Sequence, residues 1–284
     1  MDVPSDIAAE EMRVVAPSGR KAAAFFDLDK TIIAKSSTLA FSRPLYRGGL
    51  IGRRDVLRSA YSQFVFLLGG ADHDQMERMR QYLSSLCAGW PVQQVREIVA
   101  ETLQQVVEPI IYDEAATLIE DHHAAGRDVV IVSASGAEIV EPIGHMLGAD
   151  HAIGTRMEIK DGKYTGEIEL YAYAENKAIA VRELAEREGY DLPSCFAYSD
   201  SVTDVPMLEL VGHPYVVNPD RQLRREATAR GWPMLQFTRP VSLRQRMGNV
   251  PQKPALAAVA VGAAAAAVGI VWYAAKHNRS RDAG

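Results

Sequence analysis

The amino-acid sequence predicts an α/β fold, a doubly wound parallel sheet with helices on both faces. Short, fully apolar runs recur along the chain and each stops at a polar residue, the pattern of strands buried on both sides. Stretches with helical spacing lie between them, and strands that alternate with helices build parallel sheets. Strand signals vanish between Ser36 and about Ala115, so a helical insertion is expected there.

In chain order, residues 1–20 are expected to be a flexible start. MDVPSDIAAEEM is acidic and lacks an apolar stretch, so it does not read as a secretory signal. The first strand is expected at Ala22–Phe26, running into Asp27. Arg53–Leu68, His73–Leu86 and Val92–Val107 have helical spacing, with Asp72 suited to cap the second and Pro91 to the first turn of the third. Residues 37–115 thus form an expected cap over the rim of a core built from residues 21–36 and 116–238. Val129–Val132 runs into Ser133, Cys195–Tyr198 into Ser199 and Asp200, and Tyr215–Val217 into Asn218, Pro219 and Asp220. Arg156–Leu170 alternates apolar and polar positions around Asp161-Gly162, a β-hairpin signal. Glu175–Glu188 and Thr203–Val211 read as helices. Ligands of such sheets bind outside the carboxyl ends of the strands, so Asp27, Ser133 and Asp200 are expected to converge on one rim.

Composition narrows the function. The 284 residues are 48% hydrophobic and 24% charged, an ordinary globular balance. The net charge of −5 is not the basic excess of a nucleic-acid binder. Cys87 and Cys195 stand alone, without a CxxC, which excludes a disulfide framework and a cysteine-rich zinc site. The charge is uneven: residues 239–284 hold seven basic residues and one acidic, leaving 24 basic against 35 acidic in the first 238.

That tail predicts a membrane anchor. Ala255–Ala275 is 21 residues without a charged or strongly polar side chain, and a spanning helix needs roughly 20. Lys253 precedes it, Lys276, Arg279 and Arg281 follow, and Trp272 and Tyr273 sit at its end, where amphipathic rings favour an interface. Most of the run is alanine, so an Ala-rich soluble helix or a disordered tail is the competing reading. Residues 239–254 read as a basic linker able to lie near anionic lipid, and 276–284 as a basic tail. The expected location is the cytoplasmic face of a membrane, with a single-pass C-terminal anchor; without insertion it is the cytoplasm.

Four segments carry chemistry. Asp27-Leu28-Asp29-Lys30-Thr31 leaves a buried strand with two carboxylates two residues apart, one able to attack or bind metal and the other to move protons. The bland alternative is a helix cap and a solvated turn. Ser133, followed by Ala134, Ser135 and Gly136, offers a hydroxyl and backbone N–H groups at the expected start of a helix to phosphate oxygens, although serine also caps many helices. Lys177 alone would read as surface. Asp200 and Asp204, four apart after a buried strand, can hold a divalent cation or cap a helix.

In this order the four segments resemble the haloacid dehalogenase superfamily, subfamily IB, the phosphoserine phosphatase-like members. The resemblance spans about Lys21 to Phe237 and includes DLDKT, the Ser133 strand end, Lys177, the Asp200–Asp204 pair and the DGKYTG segment Asp161–Gly166. The position of the helical insertion matches a type C1 cap, and the core would be the superfamily's Rossmannoid sheet. The resemblance implies that Asp27 is a nucleophile forming an aspartyl-phosphate and that Asp29 is the acid and base. Ser133, Thr31 and Ala134 would bind the phosphoryl group, and Lys177 would neutralise charge beside Asp27. Mg²⁺ would be held by the Asp27 and Asp200 carboxylates and the Asp29 carbonyl, with Asp204 supporting through water.

Departures bear on specificity. Lys30 stands where many relatives carry Gly or Ser, and Thr203 where the serine-specific members carry Asn. Ser36 stands nine residues after Asp27, where those members place a substrate-reading glutamate, and no carboxylate lies between Thr31 and Arg54. The early cap is basic at Arg43, Arg47, Arg53 and Arg54, either for an anionic partner or as a solvated face. The expected function is a Mg²⁺-dependent phosphomonoester phosphatase of phosphoserine phosphatase type, taking a small phosphomonoester. The alternatives are a phosphatase of a lipid-linked or membrane-proximal phosphate and a non-catalytic membrane-tethered binding protein. The substrate, the oligomeric state and the choice between water and another phosphoryl acceptor stay open.

Overall fold

The computed structural model describes residues 21–52 and 84–240. The expected helix Arg53–Leu68, most of His73–Leu86, the N-terminal residues 1–20 and the tail 241–284, with its apolar run, lie outside the described residues. Among the described residues no helix is long and apolar enough to cross a membrane.

The chain begins with β1 (Ala23–Phe26), followed by α1 (Ser37–Arg47), α2 (Val92–Val107) and α3 (Asp113–Ala124). β2 (Asp128–Gly136) and α4 (Ala137–Leu147) lead to the pair β3 (His151–Lys160) and β4 (Lys163–Leu170). Then come α5 (Glu175–Glu188), β5 (Phe196–Ser199), the one-turn α6 (Val205–Leu208), β6 (His213–Val217), α7 (Arg221–Arg230) and β7 (Met234–Leu235). The seven strands order as β4-β3-β2-β1-β5-β6-β7, parallel throughout except for the antiparallel β3–β4 edge.

The apolar runs are continuous because both faces are covered. In β1, Ala24 and Phe26 join one apolar layer while Ala23 and Phe25 join the other. Val129 and Ile131 of β2 and Phe196 and Tyr198 of β5 share the first layer, and Val130, Val132 and Ala197 share the second. Successive side chains of a strand point to opposite faces, so a doubly covered strand has no polar position to spare. Helices α3 and α4 cover the first face; α5, α6 and α7 cover the second. Phe41, Leu45, Val92, Val95 and Val99 of the inserted helices are buried in the first layer, so the cap and that face of the sheet share one core.

The two crossings between cap and core are zipped together. Ala34 N donates to Ile110 O at 2.7 Å and Tyr112 N to Ile32 O at 2.9 Å. The cap also leans on the hairpin. Asp161 (φ 50°) and Gly162 (φ 73°) make the left-handed pair a two-residue turn needs, as the Asp-Gly signal predicts. Across this turn Val92 N donates to Gly162 O at 3.0 Å, Gly89 N to Tyr164 O at 2.8 Å and Tyr164 N to Trp90 O at 3.1 Å.

Three expectations are corrected. Helix α1 at Ser37–Arg47 was not expected as an element; it carries Pro44 within it and begins after Ser36. Thr203–Val211 is not one helix but a 3-10 turn, Val202–Asp204, followed by α6, with Pro206 near the start of α6 and Ser201 rather than Asp200 or Thr203 as the turn's cap. Ser133 does not open a helix: β2 continues to Gly136, which pairs with Thr155 of β3, and α4 starts only at Ala137. A side chain at Gly154 would come within 2.7 Å of the Ala137 backbone, so glycine there lets β3 pass the start of α4.

Candidate active site

The parallel register delivers the four segments to one rim. Asp27 follows β1, and its N–H donates to Tyr198 O of β5 at 2.9 Å, which sets it beside Ser199 and Asp200. Ser133 lies in β2, the neighbour on the other side of β1. Lys177 enters from the first turns of α5. Its Nζ donates to Asp27 Oδ1 at 2.6 Å and to Asp204 Oδ2 at 2.8 Å. Ser199 Oγ donates to the same Asp204 oxygen at 2.7 Å. Residues 150 and 27 positions apart in the chain are thereby joined at one ammonium.

The backbone around the rim is bent into uncommon conformations. Among the described residues the non-glycine positions with positive φ are Lys30 (63°), Asp161, Ala174 (51°) and Asn218 (43°); Lys30 lies within the DLDKT turn and Ala174 three residues before Lys177. Ala174 pairs its φ of 51° with ψ of −126° directly before α5, outside the usual left-handed well. Strain of this kind costs about 1–3 kcal/mol and persists where the surroundings fix it.

Charge at the rim is out of balance. Asp27, Asp200, Asp204 and Lys177 are all buried, and Asp29 is half-buried. Burial pushes the Asp27 carboxyl well up; contact with Lys177 opposes this, while Asp204, Asp200 and Asp29 reinforce it. Burial also raises Asp29, against hydrogen bonds from Ser37 and Ser135. Asp200 is pushed up to about 7 by burial, with Lys30 opposing and Asp204 adding to the rise. Burial alone would lower the Lys177 ammonium, but Asp204 and Asp27 outweigh it and hold it above its ordinary range.

This donor chemistry fits a hard divalent cation. Several buried carboxylates face one buried ammonium, and a cation bound near Asp27 and Asp200 would relieve what burial imposes on them. Among the described residues no three His, Cys, Asp or Glu side chains converge as a ready-made cage. Asp204 is occupied by Lys177 and Ser199, which suits an indirect role rather than a direct ligand. Ser201 rather than Asp200 caps the turn that follows, and the Asp200 carbonyl accepts from Asp220 N at 2.8 Å.

The phosphate-binding candidates are less uniform. Ser133 is buried and its Oγ accepts from Ser135 N at 3.2 Å. Ala134 is exposed, with its carbonyl accepting from Thr155 Oγ1 at 2.7 Å. Thr31 is buried, and its Oγ1 is the one buried side-chain oxygen without a partner among the described residues. Sequence reasoning did not single out Ser199, whose hydroxyl holds Asp204, or Asp220, which caps α7 through Gln222 N and Leu223 N and accepts from Val202 N. Both stand at strand ends, and that position was their only signal.

The family model of haloacid dehalogenase-like hydrolases matches residues 24–209. A Streptomyces azureus protein named "Inhibition of morphological differentiation protein" is 69% identical, over 92% of this chain and 95% of its own. A probable phosphatase of Mycobacterium tuberculosis is 63% identical over 91% of this chain and 90% of its own, and phosphoserine phosphatase SerB1 of the same organism 35% over 94% and 86%. A solved phospho-aspartyl intermediate analogue of phosphoserine phosphatase overlays with a TM-score of 0.56 at 20% identity, covering 81% of this chain and 98% of that one, a likeness of fold.

Proposed function

The chain belongs to the haloacid dehalogenase-like hydrolases and is a phosphatase of phosphoserine phosphatase-like type, and from that premise we propose a Mg²⁺-dependent phosphomonoesterase working through an aspartyl-phosphate at Asp27. The observation that carries this is the buried Lys177 ammonium bridging Asp27 and Asp204, on the rim where Asp29 leaves the same turn.

An Asp27 carboxylate oxygen attacks phosphorus while the bond from phosphorus to the ester oxygen breaks, and Asp29 gives its proton to the departing alkoxide. Water then attacks phosphorus, Asp29 takes a proton from it, and the bond from phosphorus to Asp27 breaks to release phosphate. Burial keeps Asp29 protonated at higher pH than a free carboxyl, which suits an acid at neutral pH. Lys177 stabilises charge beside Asp27 through both steps. Thr31, Ser133 and the Ala134 backbone would receive the phosphoryl oxygens. The Asp27 and Asp200 carboxylates and the Asp29 carbonyl would hold Mg²⁺, which supplies charge neutralisation to phosphoryl transfer, with Asp204 behind them.

The test is phosphate release by the full chain over L-phosphoserine, sugar phosphates, glycerol phosphates and lysophosphatidic acid. Turnover with Mg²⁺, inhibition by EDTA and a silent Asp27→Asn variant are expected. Normal turnover by Asp27→Asn would remove the mechanism, and no turnover of any ester would restore the binding-protein reading.

A membrane-proximal phosphate is the second substrate reading. Pro240, the last described residue, pairs with Tyr112, next to Ile111, which pairs with Ile33 four residues past Asp29. Pro240 therefore lies beside the turn that leads from Asp29, and the apolar run 255–275 follows it in the sequence. A chain ending at Pro240 should turn over soluble esters normally and lose turnover of lysophosphatidic acid in vesicles.

A further inference from the structure

Asp29 is held from the cap and from the end of β2. Ser37 N donates to its Oδ1 at 2.8 Å and Ser135 Oγ donates to its Oδ2 at 3.3 Å. Ser37 is the first residue of cap helix α1, and the residue before it, Ser36, makes no side-chain cap bond, so Asp29 satisfies an N–H that would otherwise be orphaned. Ser135 Oγ also lies 2.7 Å from Ser37 Oγ and 3.2 Å from Thr38 Oγ1. A hydroxyl has one hydrogen and two lone pairs. With that hydrogen on Asp29, Ser135 must accept from both Ser37 and Thr38. The arrangement then uses every hydrogen-bonding position of Ser135. Ser37 and Ser135 are buried, while Thr38 is exposed at the foot of the cap.

We propose that Ser135 is a positioning residue that aims the Asp29 carboxyl, and that cap helix α1 locks it through Ser37 and Thr38, so that Asp29 is aimed only while α1 is seated on the core. This rests on the phosphatase reading. Ser37 and Ser135 approach both Asp29 oxygens, and these donors fix the plane of the carboxyl. Proton delivery depends on that geometry. The same three hydroxyls join β2, the DLDKT turn and the cap, so the seating of α1 is transmitted to the proton-transfer group.

The test compares two esters on the full chain by kcat/KM, which reports the first phosphoryl transfer. An alkyl ester such as glycerol phosphate needs its leaving oxygen protonated; p-nitrophenyl phosphate does not. Ser135→Ala and Ser37→Ala should each lower kcat/KM for the alkyl ester about tenfold or more, within the range of general acid catalysis. Their loss on the aryl ester should be far smaller, and Ser135→Thr should recover much of the alkyl activity. The double variant should lose little more than either single one, because both act on one carboxyl. Equal losses on both esters, or none on either, in variants that melt cooperatively would overturn the inference. If the buried variants fail to fold, the exposed Thr38→Val decides: a smaller alkyl-selective loss supports the lock, and an unchanged ester ratio overturns it. A wild-type chain inactive on both esters would remove the phosphatase reading itself, a distinct outcome.

Discussion

Two buried polar clusters sit on the same sheet, and they are built in opposite ways. At the rim, Lys177 bridges Asp27 and Asp204, Asp200 stands near them, and Thr31 Oγ1 has no partner. Beneath the first face, His122 of α3 accepts from Arg127 Nε at 2.7 Å through Nδ1, which leaves its Nε2–H for Tyr198 Oη at 2.9 Å. The Arg127 guanidinium lies 4.6 Å from the centre of the Phe196 ring, and Tyr198 stacks on Phe26 with ring centres 4.4 Å apart. The second cluster directs its hydrogen bonds inward and wraps itself in aromatic rings; the first keeps excess negative charge and an idle hydroxyl. Burial that serves stability satisfies its polar groups, whereas burial that serves chemistry holds some of them ready for a ligand.

That contrast can be broken most forcefully at the nucleophile. Asp27→Asn should lower turnover by roughly 10³-fold or more while the fold survives, as read by phosphate release and far-UV circular dichroism. Lys177→Met should cost about 10²–10³-fold in turnover, the scale of one lost electrostatic stabiliser. It should also destabilise the chain by about 3–5 kcal/mol, because two buried carboxylates lose their counter-charge, measured by urea unfolding. His122→Ala should do the reverse: a loss of about 2–4 kcal/mol of stability with turnover nearly intact, since the Arg127 and Tyr198 side chains lose a buried partner that contacts none of the rim carboxylates.

The clusters also answer pH with opposite signs. Asp200 is raised to about 7 in the fold, against an ordinary 3.8. The folded chain therefore holds that proton longer than the unfolded one, and this contribution to stability is present below about pH 4 and lost as pH rises through about 7. Mg²⁺ should accordingly raise Tm more at pH 8 than at pH 5. His122 is lowered to about 3, chiefly by burial and then by Arg127. Its contribution is present above about 6.5 and lost as pH falls toward 3, so His122→Ala should flatten the acid side of the stability curve. The smallest effect belongs to Thr31→Val. Removing the idle hydroxyl should raise stability by about 1 kcal/mol and, if that hydroxyl receives a phosphoryl oxygen, raise KM.

The sequence reveals these two clusters unequally. The apolar runs of β1, β2, β5 and β6 announce themselves because double burial forbids polar positions, and their ends mark Asp27, Ser133 and Asp200. Helices α2 and α5 have the expected limits, and the hairpin turns at Asp161-Gly162. Helix α1 was not read, because Pro44 and a scatter of small polar residues blur its period. Lys177 could be placed only by family resemblance, since one lysine carries no local signal. The Ser37–Ser135–Asp29 bonds span up to 106 residues, and pairings of that range leave no trace in spacing. The His122 cluster is hidden for the same reason: its three members lie on α3, the loop before β2, and β5.

The hairpin beyond the sheet edge has a consequence for how substrate reaches the rim. Three backbone hydrogen bonds stitch residues 89–92 to the turn at 162–164, and the two crossings at Ile32–Ala34 and Ile110–Tyr112 are stitched to each other. Parting residues 89–92 from the hairpin forfeits those three bonds, worth roughly 0.5–1.5 kcal/mol each, so a state with this seam open is rarer than the closed one by roughly tenfold to two-thousandfold. Traffic of substrate and phosphate through that seam would be throttled by the same factor, which makes the hairpin side of the cap a wall.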